Sequence, residues 1–178
     1  MDAIETMMDE HRVILSALDA LDGFRAELEA GAAGAAAGER LARFVDFFAN
    51  FADKVHHGKE EDLLFRAMAD NGFPVAEGPI AVMLAEHDQG RALVGALRDA
   101  ASGPADWDGA ARVGVIDAAR DFAAMLRGHI DKEDNVLYVM ARNALPPEDM
   151  ARLDRACADL DAARAAEIDR LRALAAAL

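Results

Sequence analysis

The chain has 178 residues, 53% hydrophobic and 29% charged, which is enough for one domain with a substantial core. Its 19 Lys and Arg against 33 Asp and Glu give a formal net charge of −14. This balance excludes the clustered positive charge that binding to nucleic acids or anionic membranes requires. The single cysteine, Cys157, excludes an intrachain disulfide and any site built from several thiolates. The opening residues MDAIETMMDEH are acidic, and no stretch stays apolar for about 18 residues, so we expect no secretory signal, no membrane span and a cytoplasmic protein.

The composition, rich in alanine and poor in β-branched and aromatic residues, predicts helices. Clusters of Gly, Pro, Asn and Asp divide the chain at 31–38, 70–79, 102–109 and 143–147. Between them, apolar residues recur every three or four positions, the period of an amphipathic helix. Because short connections join long helices, neighbouring helices should be antiparallel. We therefore predict an all-α fold, an up-down-up-down four-helix bundle over residues 1–145 with an additional C-terminal helix over 146–178 that packs on the bundle or on a partner.

Each of the first four predicted helices carries a histidine on its apolar stripe. These histidines are His11, His56, His87 and His129. At 1.5 Å per residue they lie about 22–30 Å from the breaker clusters at one end of the bundle, so they should share one layer of the core. A single such histidine would most simply be a core residue. Four at a similar depth favour a common ligand.

Two of these histidines are followed four residues later by a glutamate, in HHGKEEDLLF (56–65) and HIDKEDNVLY (129–138). The i, i+4 spacing places Glu60 and Glu133 on the same helix faces as their histidines. One HxxxE alone would indicate a surface salt bridge, but two matching copies favour a metal site because a buried glutamate is costly unless paired or bound to metal. Four imidazoles and two carboxylates without thiolate suit iron, manganese or zinc, with the carboxylates shared between two cations.

The second helix also offers His57 with Glu61 at the same spacing. Alignment with the other repeat, and the polar residues one and two turns before His57, select His56 and Glu60 instead. We therefore predict that His57 and Glu61 lie beside the ligands or at the surface. They remain the alternative ligands to His56 and Glu60.

The order H…HxxxE…H…HxxxE over about residues 1–142 resembles the hemerythrin-like family, also called the HHE cation-binding domain. The resemblance implies a non-heme di-iron site, Fe2+ or Fe3+, beside an oxo or hydroxo bridge, with zinc or manganese as substitutes. The ligands it implies are His11 and His56 on one iron, His87 and His129 on the other, and bridging Glu60 and Glu133.

One position departs from the oxygen-carrying hemerythrins, which have a second histidine one turn after the third-helix ligand. Arg91 stands there, and a protonated arginine does not ligate a cation. We expect Arg91 to turn outward or to hydrogen-bond Glu60 or Glu133, and both irons to stay open, which argues against simple reversible oxygen carriage. Tyr138 is either redox-active or a core residue with a hydrogen-bonded hydroxyl. Phe65 at the equivalent repeat position favours the core residue.

The resemblance implies a protein that binds or reacts with oxygen, peroxide or nitric oxide, and an oxidoreductase if it turns that ligand over. The alternative is a non-catalytic module that senses or stores oxygen or iron and signals by conformational change. A third hypothesis is a bundle with a structural zinc pair. We expect a small-molecule ligand, no nucleic acid or membrane partner, and a monomer or a homodimer formed through the C-terminal helix.

Overall fold

The computed structural model describes residues 2–34, 36–103 and 107–178 of the chain, and within these ranges the regular secondary structure is helical, with no strand. This confirms the predicted all-α class. The elements in chain order are α1 (Ala3–Glu29), α2 (Ala37–Phe47), π1 (Phe48–His57), π2 (Glu60–Leu64), α3 (Phe65–Asp70), α4 (Gly78–Ala101), α5 (Gly109–Lys132), π3 (Glu133–Leu137), α6 (Tyr138–Ala144), α7 (Pro147–Ala163) and α8 (Ala165–Ala175).

The helix boundaries have local causes. The carboxylate of Asp2 accepts a hydrogen bond of 2.7 Å from the backbone N–H of Glu5, and Glu5 reciprocates, which forms a capping box that starts α1. Gly72, in the turn after α3, and Gly78, the first residue of α4, adopt φ values of +92° and +72°, which suit glycine. Pro147 opens α7, where its missing N–H costs nothing.

The second helical run, from α2 to α3, is wider than an α-helix in π1 and π2. Its buried stripe repeats every four residues: Phe44, Phe48, Ala52, His56, Glu60, Leu64 and Met68. In a regular α-helix each four-residue step would rotate the stripe by about 40°, so it would wind away from the core. Wider turns, with i to i+5 hydrogen bonds, remove that drift. The periodicity of the sequence predicts this run of helix but not its widened turns.

The same widening recurs at both predicted bridging glutamates. The N–H of Phe65 donates to the carbonyl of Glu60, and the N–H of Tyr138 donates to the carbonyl of Glu133. Each bond spans five residues, so π2 and π3 begin at Glu60 and Glu133. The two halves of the sequence repeat therefore share backbone conformation as well as residue types.

Two apolar clusters enclose a buried polar layer. One cluster is built on Leu18, Phe48 and Phe122 and the other on Ile4, Leu64 and Ile80. Since α1 packs on π1 and α5, while α4 packs on α2 and α5, the apolar stripes of these elements face a common interior.

The C-terminal segment was predicted as one helix, and this prediction is wrong in detail. The helix is interrupted at Arg164, whose φ of −112° and ψ of 14° are not helical. The segments before and after it, α7 and α8, are therefore separate helices. The Arg164 guanidinium donates a 2.6 Å hydrogen bond to the carbonyl of Lys54 in π1. Both helices pack on the rest of the chain, with Cys157 of α7 and Leu171 of α8 buried in different apolar clusters.

Candidate metal centre

The structure brings all six predicted ligands into one layer. The four histidine side chains are about 1% exposed and the two glutamates are fully buried; the six are His11, His56, Glu60, His87, His129 and Glu133. They come from α1, π1, π2, α4, α5 and π3, so six elements converge on one place.

The ring Nε2 atoms of the histidines face the two glutamates. His11 Nε2 lies 3.3 Å from Glu133 Oε2, and His129 Nε2 lies 3.1 Å from Glu133 Oε1. Glu60 Oε2 lies 3.6 Å from His56 Nε2 and 3.4 Å from His87 Nε2. Each glutamate thus stands between two histidines, as a carboxylate shared by two cations would.

The other ring nitrogen of each of the four histidines contacts a carboxylate. These pairs are His11 Nδ1 with Asp134 at 2.7 Å, His56 Nδ1 with Glu10 at 3.0 Å, His87 Nδ1 with Glu61 at 2.7 Å, and His129 Nδ1 with Glu86 at 2.9 Å. A carboxylate accepts but does not donate, so each Nδ1–H donates, and this leaves Nε2 of each ring as the nitrogen that faces the two buried glutamates. This is how proteins orient imidazoles that ligate metals.

The four outer carboxylates follow a rule in the sequence. Glu10 and Glu86 directly precede the histidines of α1 and α4, and each supports a histidine on another helix. Glu61 and Asp134 directly follow the two buried glutamates and do the same. Of these four carboxylates, only Glu61 was predicted from the sequence to lie beside the ligands. Adjacency to a ligand in both halves was the signal that could have found the other three.

The carboxylates also control the charge of the metal-free site. Burial lowers the pKa of His11, but the hydrogen bond to Asp134 and the nearby carboxylate of Glu133 outweigh burial and raise the pKa to about 10. Burial likewise opposes the charge on His87, whose contacts with three glutamates raise its pKa to about 11. Protons on these rings balance the buried carboxylates, and a metal must displace them to bind.

Several buried atoms that face the interior have no hydrogen-bond partner within the described part of the chain. They are His56 Nε2, Glu60 Oε2, both carboxylate oxygens of Glu133 and both ring nitrogens of His57. A buried carboxylate oxygen without a partner is costly, and no lysine or arginine among the described residues contacts Glu60 or Glu133. Cations between these groups would remove that cost. The residues therefore fit a metal, and the nitrogen and oxygen donors suit iron, manganese or zinc.

The donor atoms form two groups that share Glu60. One contains His11, His56, Glu60 and Glu133, and the other contains His57, Glu60, His87 and His129. Within each group the candidate atoms lie within 4.8 Å of one another. Each of the two groups could hold a metal ion.

The structure places two residues for which the sequence left alternatives open. His57 lies beside the ligands and not at the surface: it is 5% exposed, and burial lowers its pKa to about 4. The widened turn of π1 explains this, because successive residues rotate less than in an α-helix and both His56 and His57 face inward. Arg91 reaches neither Glu60 nor Glu133. It is half-exposed and bonds Glu61 and Asp53 instead.

Tyr138 lies within the layer rather than beside it. It is buried, and its hydroxyl donates a 2.6 Å hydrogen bond to Glu60 Oε1 and lies 3.5 Å from His11 Nε2. Its ring is parallel to that of His11, with the ring centres 5.5 Å apart. Tyr138 therefore orients Glu60 through its hydroxyl.

The hemerythrin HHE cation binding domain matches residues 2–141. This chain belongs to that family. Comparison with curated proteins and with solved structures gave no match. The HHE domain covers all six predicted ligands and the four outer carboxylates, whereas α7 and α8 lie beyond it. Among the described residues, no helix of this HHE protein is both long and apolar enough to cross a membrane.

Proposed function

We propose that this HHE protein is a non-heme di-iron protein that binds or reacts with a small ligand such as oxygen, peroxide or nitric oxide. The observation that carries the proposal is the inward set of partnerless nitrogen and oxygen atoms between the four histidines and the two glutamates. One iron would be held by His11 and His56, the other by His87 and His129, with Glu60 and Glu133 shared. Zinc or manganese would suit the same donors.

Iron would supply the redox chemistry, and the chain would hold the metal ligands in position and exclude water from the site. The outer carboxylates hold each imidazole with Nε2 inward, so little rearrangement is needed when a ligand binds. The apolar clusters on either side keep bulk water out of the layer. Tyr138 places one O–H within the layer, where it holds a proton close to Glu60.

A cavity of about 570 Å³ offers a route for a small ligand. It lies between π1, α4 and α5 and is lined by Phe48, Ala52, His57, Gly90, Arg91 and Phe122 among others. Its inner end reaches His57, which stacks on His87 at 3.8 Å between ring centres. The lining mixes apolar side chains with charged ones, which include Asp53, Lys54 and Arg98.

The alternative is a sensing module that changes conformation when iron or its ligand changes. The observation that favours it is a buried series of contacts from the C-terminal helices to the site. Asp161 of α7 contacts Lys59, Lys59 contacts Glu10, and Glu10 accepts a hydrogen bond from His56. A shift of His56 could therefore reach α7.

We further propose that the helices before residue 145 alternate up and down as a four-helix bundle, with 146–178 as an addition that packs on it. The short connections and the single ligand layer support this arrangement. Within the described ranges, α1 ends at Glu29 and α2 begins at Ala37, while α3 ends at Asp70 and α4 begins at Gly78.

Metal analysis together with optical spectra tests the proposal. Protein purified in air should contain close to two iron atoms per chain and should show an absorption spectrum that bleaches on anaerobic reduction. Glu133→Ala should lose most of the iron, whereas Asp131→Ala, which removes an exposed carboxylate two residues earlier, should keep it. Zinc at the same stoichiometry with no iron uptake would favour the structural-zinc hypothesis. No bound metal would overturn the proposal.

A further inference from the structure

We propose that His57 is a metal ligand in its own right, added to His87 and His129 on one side of the centre. The inference rests on the proposed metal function and deepens it. It makes the centre uneven, with three imidazoles around one cation and two around the other. The sequence analysis had expected an even set of four histidines.

The first observation is position. His57 lies among residues that already converge on a cation: its candidate atom lies within 4.8 Å of those of Glu60, His87 and His129. Its ring stacks on that of His87 with an interplanar angle of 12°, and its centre lies 5.6 Å from that of His129.

The second observation is that the ring is buried without partners. Neither nitrogen of His57 makes a hydrogen bond with any residue that the structure describes, although the side chain is 5% exposed. Burying an imidazole without hydrogen bonds costs desolvation free energy, and that cost is not offset unless another group binds the ring. A cation bound to the inward nitrogen would provide the missing interaction.

The third observation is the outer carboxylate. Asp53 Oδ1 lies 3.6 Å from His57 Nδ1, and Arg91 holds Asp53 through a 2.8 Å hydrogen bond from Nε. All four other histidines also have a carboxylate beside Nδ1 and leave Nε2 facing the interior. His57 thus has the same surroundings as the predicted ligands, with a carboxylate that needs a small movement to reach hydrogen-bonding distance.

The two halves of the repeat differ at this position. The residue that follows the histidine in the other copy is Ile130, which is buried in an apolar cluster. One turn after His87 stands Arg91, and the equivalent residue after His11 is Leu15. The third imidazole and the arginine–carboxylate pair that supports it therefore occur on one side of the centre, with His57 and Asp53 from the first half of the repeat and Arg91 from the second.

The experiment compares His57→Ala with Ile130→Ala, which makes a similar cavity at the equivalent position of the other half. Both proteins are loaded with 57Fe and studied by Mössbauer spectroscopy and by iron release to a chelator. Wild-type protein should show two different iron environments. His57→Ala should change one of them and release iron about 10–100-fold faster, the usual effect of losing a well-placed group near a metal. Added imidazole, which the adjacent cavity can admit, should reverse both effects.

Ile130→Ala should retain the wild-type spectrum and release rate, whatever it does to thermal stability. If His57→Ala does not fold, His57→Gln, which keeps a polar side chain of similar length, provides the same comparison. A His57→Ala protein with the wild-type spectrum and release rate would overturn the inference and leave the di-iron proposal standing. A wild-type protein that binds no metal would overturn both.

Discussion

Lys59 donates a hydrogen bond of 2.8 Å from Nζ to Oδ1 of Asp161, which joins the second helical run to α7. The Lys59 side chain is fully buried, and its ammonium group also contacts Glu10, the carboxylate that orients His56. The equivalent lysine of the other half, Lys132, contacts Glu86 but is 43% exposed. The C-terminal helices thus bury one of two otherwise equivalent ion pairs beside the ligand layer.

Replacing Lys59 should therefore cost far more stability than replacing Lys132. Lys59→Met leaves two carboxylates without their shared cation, one of them buried, and should lower the free energy of unfolding by about 3–5 kcal/mol. Lys132→Met removes an exposed pair and should cost less than about 1 kcal/mol. Urea unfolding of the two variants measures both values, and equal losses would show that burial by α7 does not matter.

The thiol of Cys157 should report whether α7 stays docked. It is 2% exposed, and burial raises its pKa to about 12, so it should react slowly with a thiol reagent at pH 8. Asp161→Asn weakens the contact to Lys59 and should speed the labelling. Asp159→Asn, on the exposed side of the same helix, is the control and should not. Fast labelling of the wild-type protein would contradict the docked position of α7.

The outer carboxylates should set the affinity for iron. Asp134→Ala removes the group that accepts the 2.7 Å hydrogen bond from His11 and should weaken iron binding by about 10–100-fold. Asp131→Ala, on the exposed face three residues earlier, should leave the affinity unchanged. Competition with a chromophoric chelator gives both values, and unchanged affinity in Asp134→Ala would mean that His11 is oriented by packing alone.

Narrowing the cavity should slow the entry of small ligands to the metal site without lowering the iron content. A Cβ built on Gly90 would lie 3.2 Å from Met125 Cε, so Gly90→Val places further atoms across the space between α4 and α5. We expect a lower rate of reaction of the reduced protein with nitric oxide in stopped-flow measurements, at unchanged iron content. Gly95→Val, whose Cβ has open space on the same helix, should react like the wild type. An unchanged rate in Gly90→Val would place the access route elsewhere.

Removing the metal should lower the stability of the fold. Glu60 and Glu133 are fully buried in one layer, and in the metal-free protein protonated histidines must balance their charge. A metal that binds the folded state alone at a free concentration 100 times its dissociation constant adds about 2.7 kcal/mol to the free energy of unfolding. Differential scanning calorimetry before and after reconstitution should therefore show a higher unfolding midpoint with metal, and coincident transitions would argue against a site formed in the folded core.

Much of the molecule follows from local patterns in the sequence. Glycine and proline clusters end the helices at nearly the predicted places because their backbone preferences act within a few residues. Histidines on the apolar stripes, together with two HxxxE repeats, single out six residues that the structure brings together. This was possible because the i, i+4 relation depends on one helix and on nothing distant.

Other features depend on contacts between helices, and the sequence alone did not predict them. Whether Glu10 reaches His56, or Arg91 reaches Glu61 rather than a buried glutamate, depends on how separate helices are placed against each other. The inward position of His57 depends on the widened turns of π1, which keep a four-residue stripe against the core at the expense of regular α-helical hydrogen bonds. A constant spacing of four was visible in the sequence, but only packing against the neighbouring helices decides whether the backbone widens or the stripe drifts away.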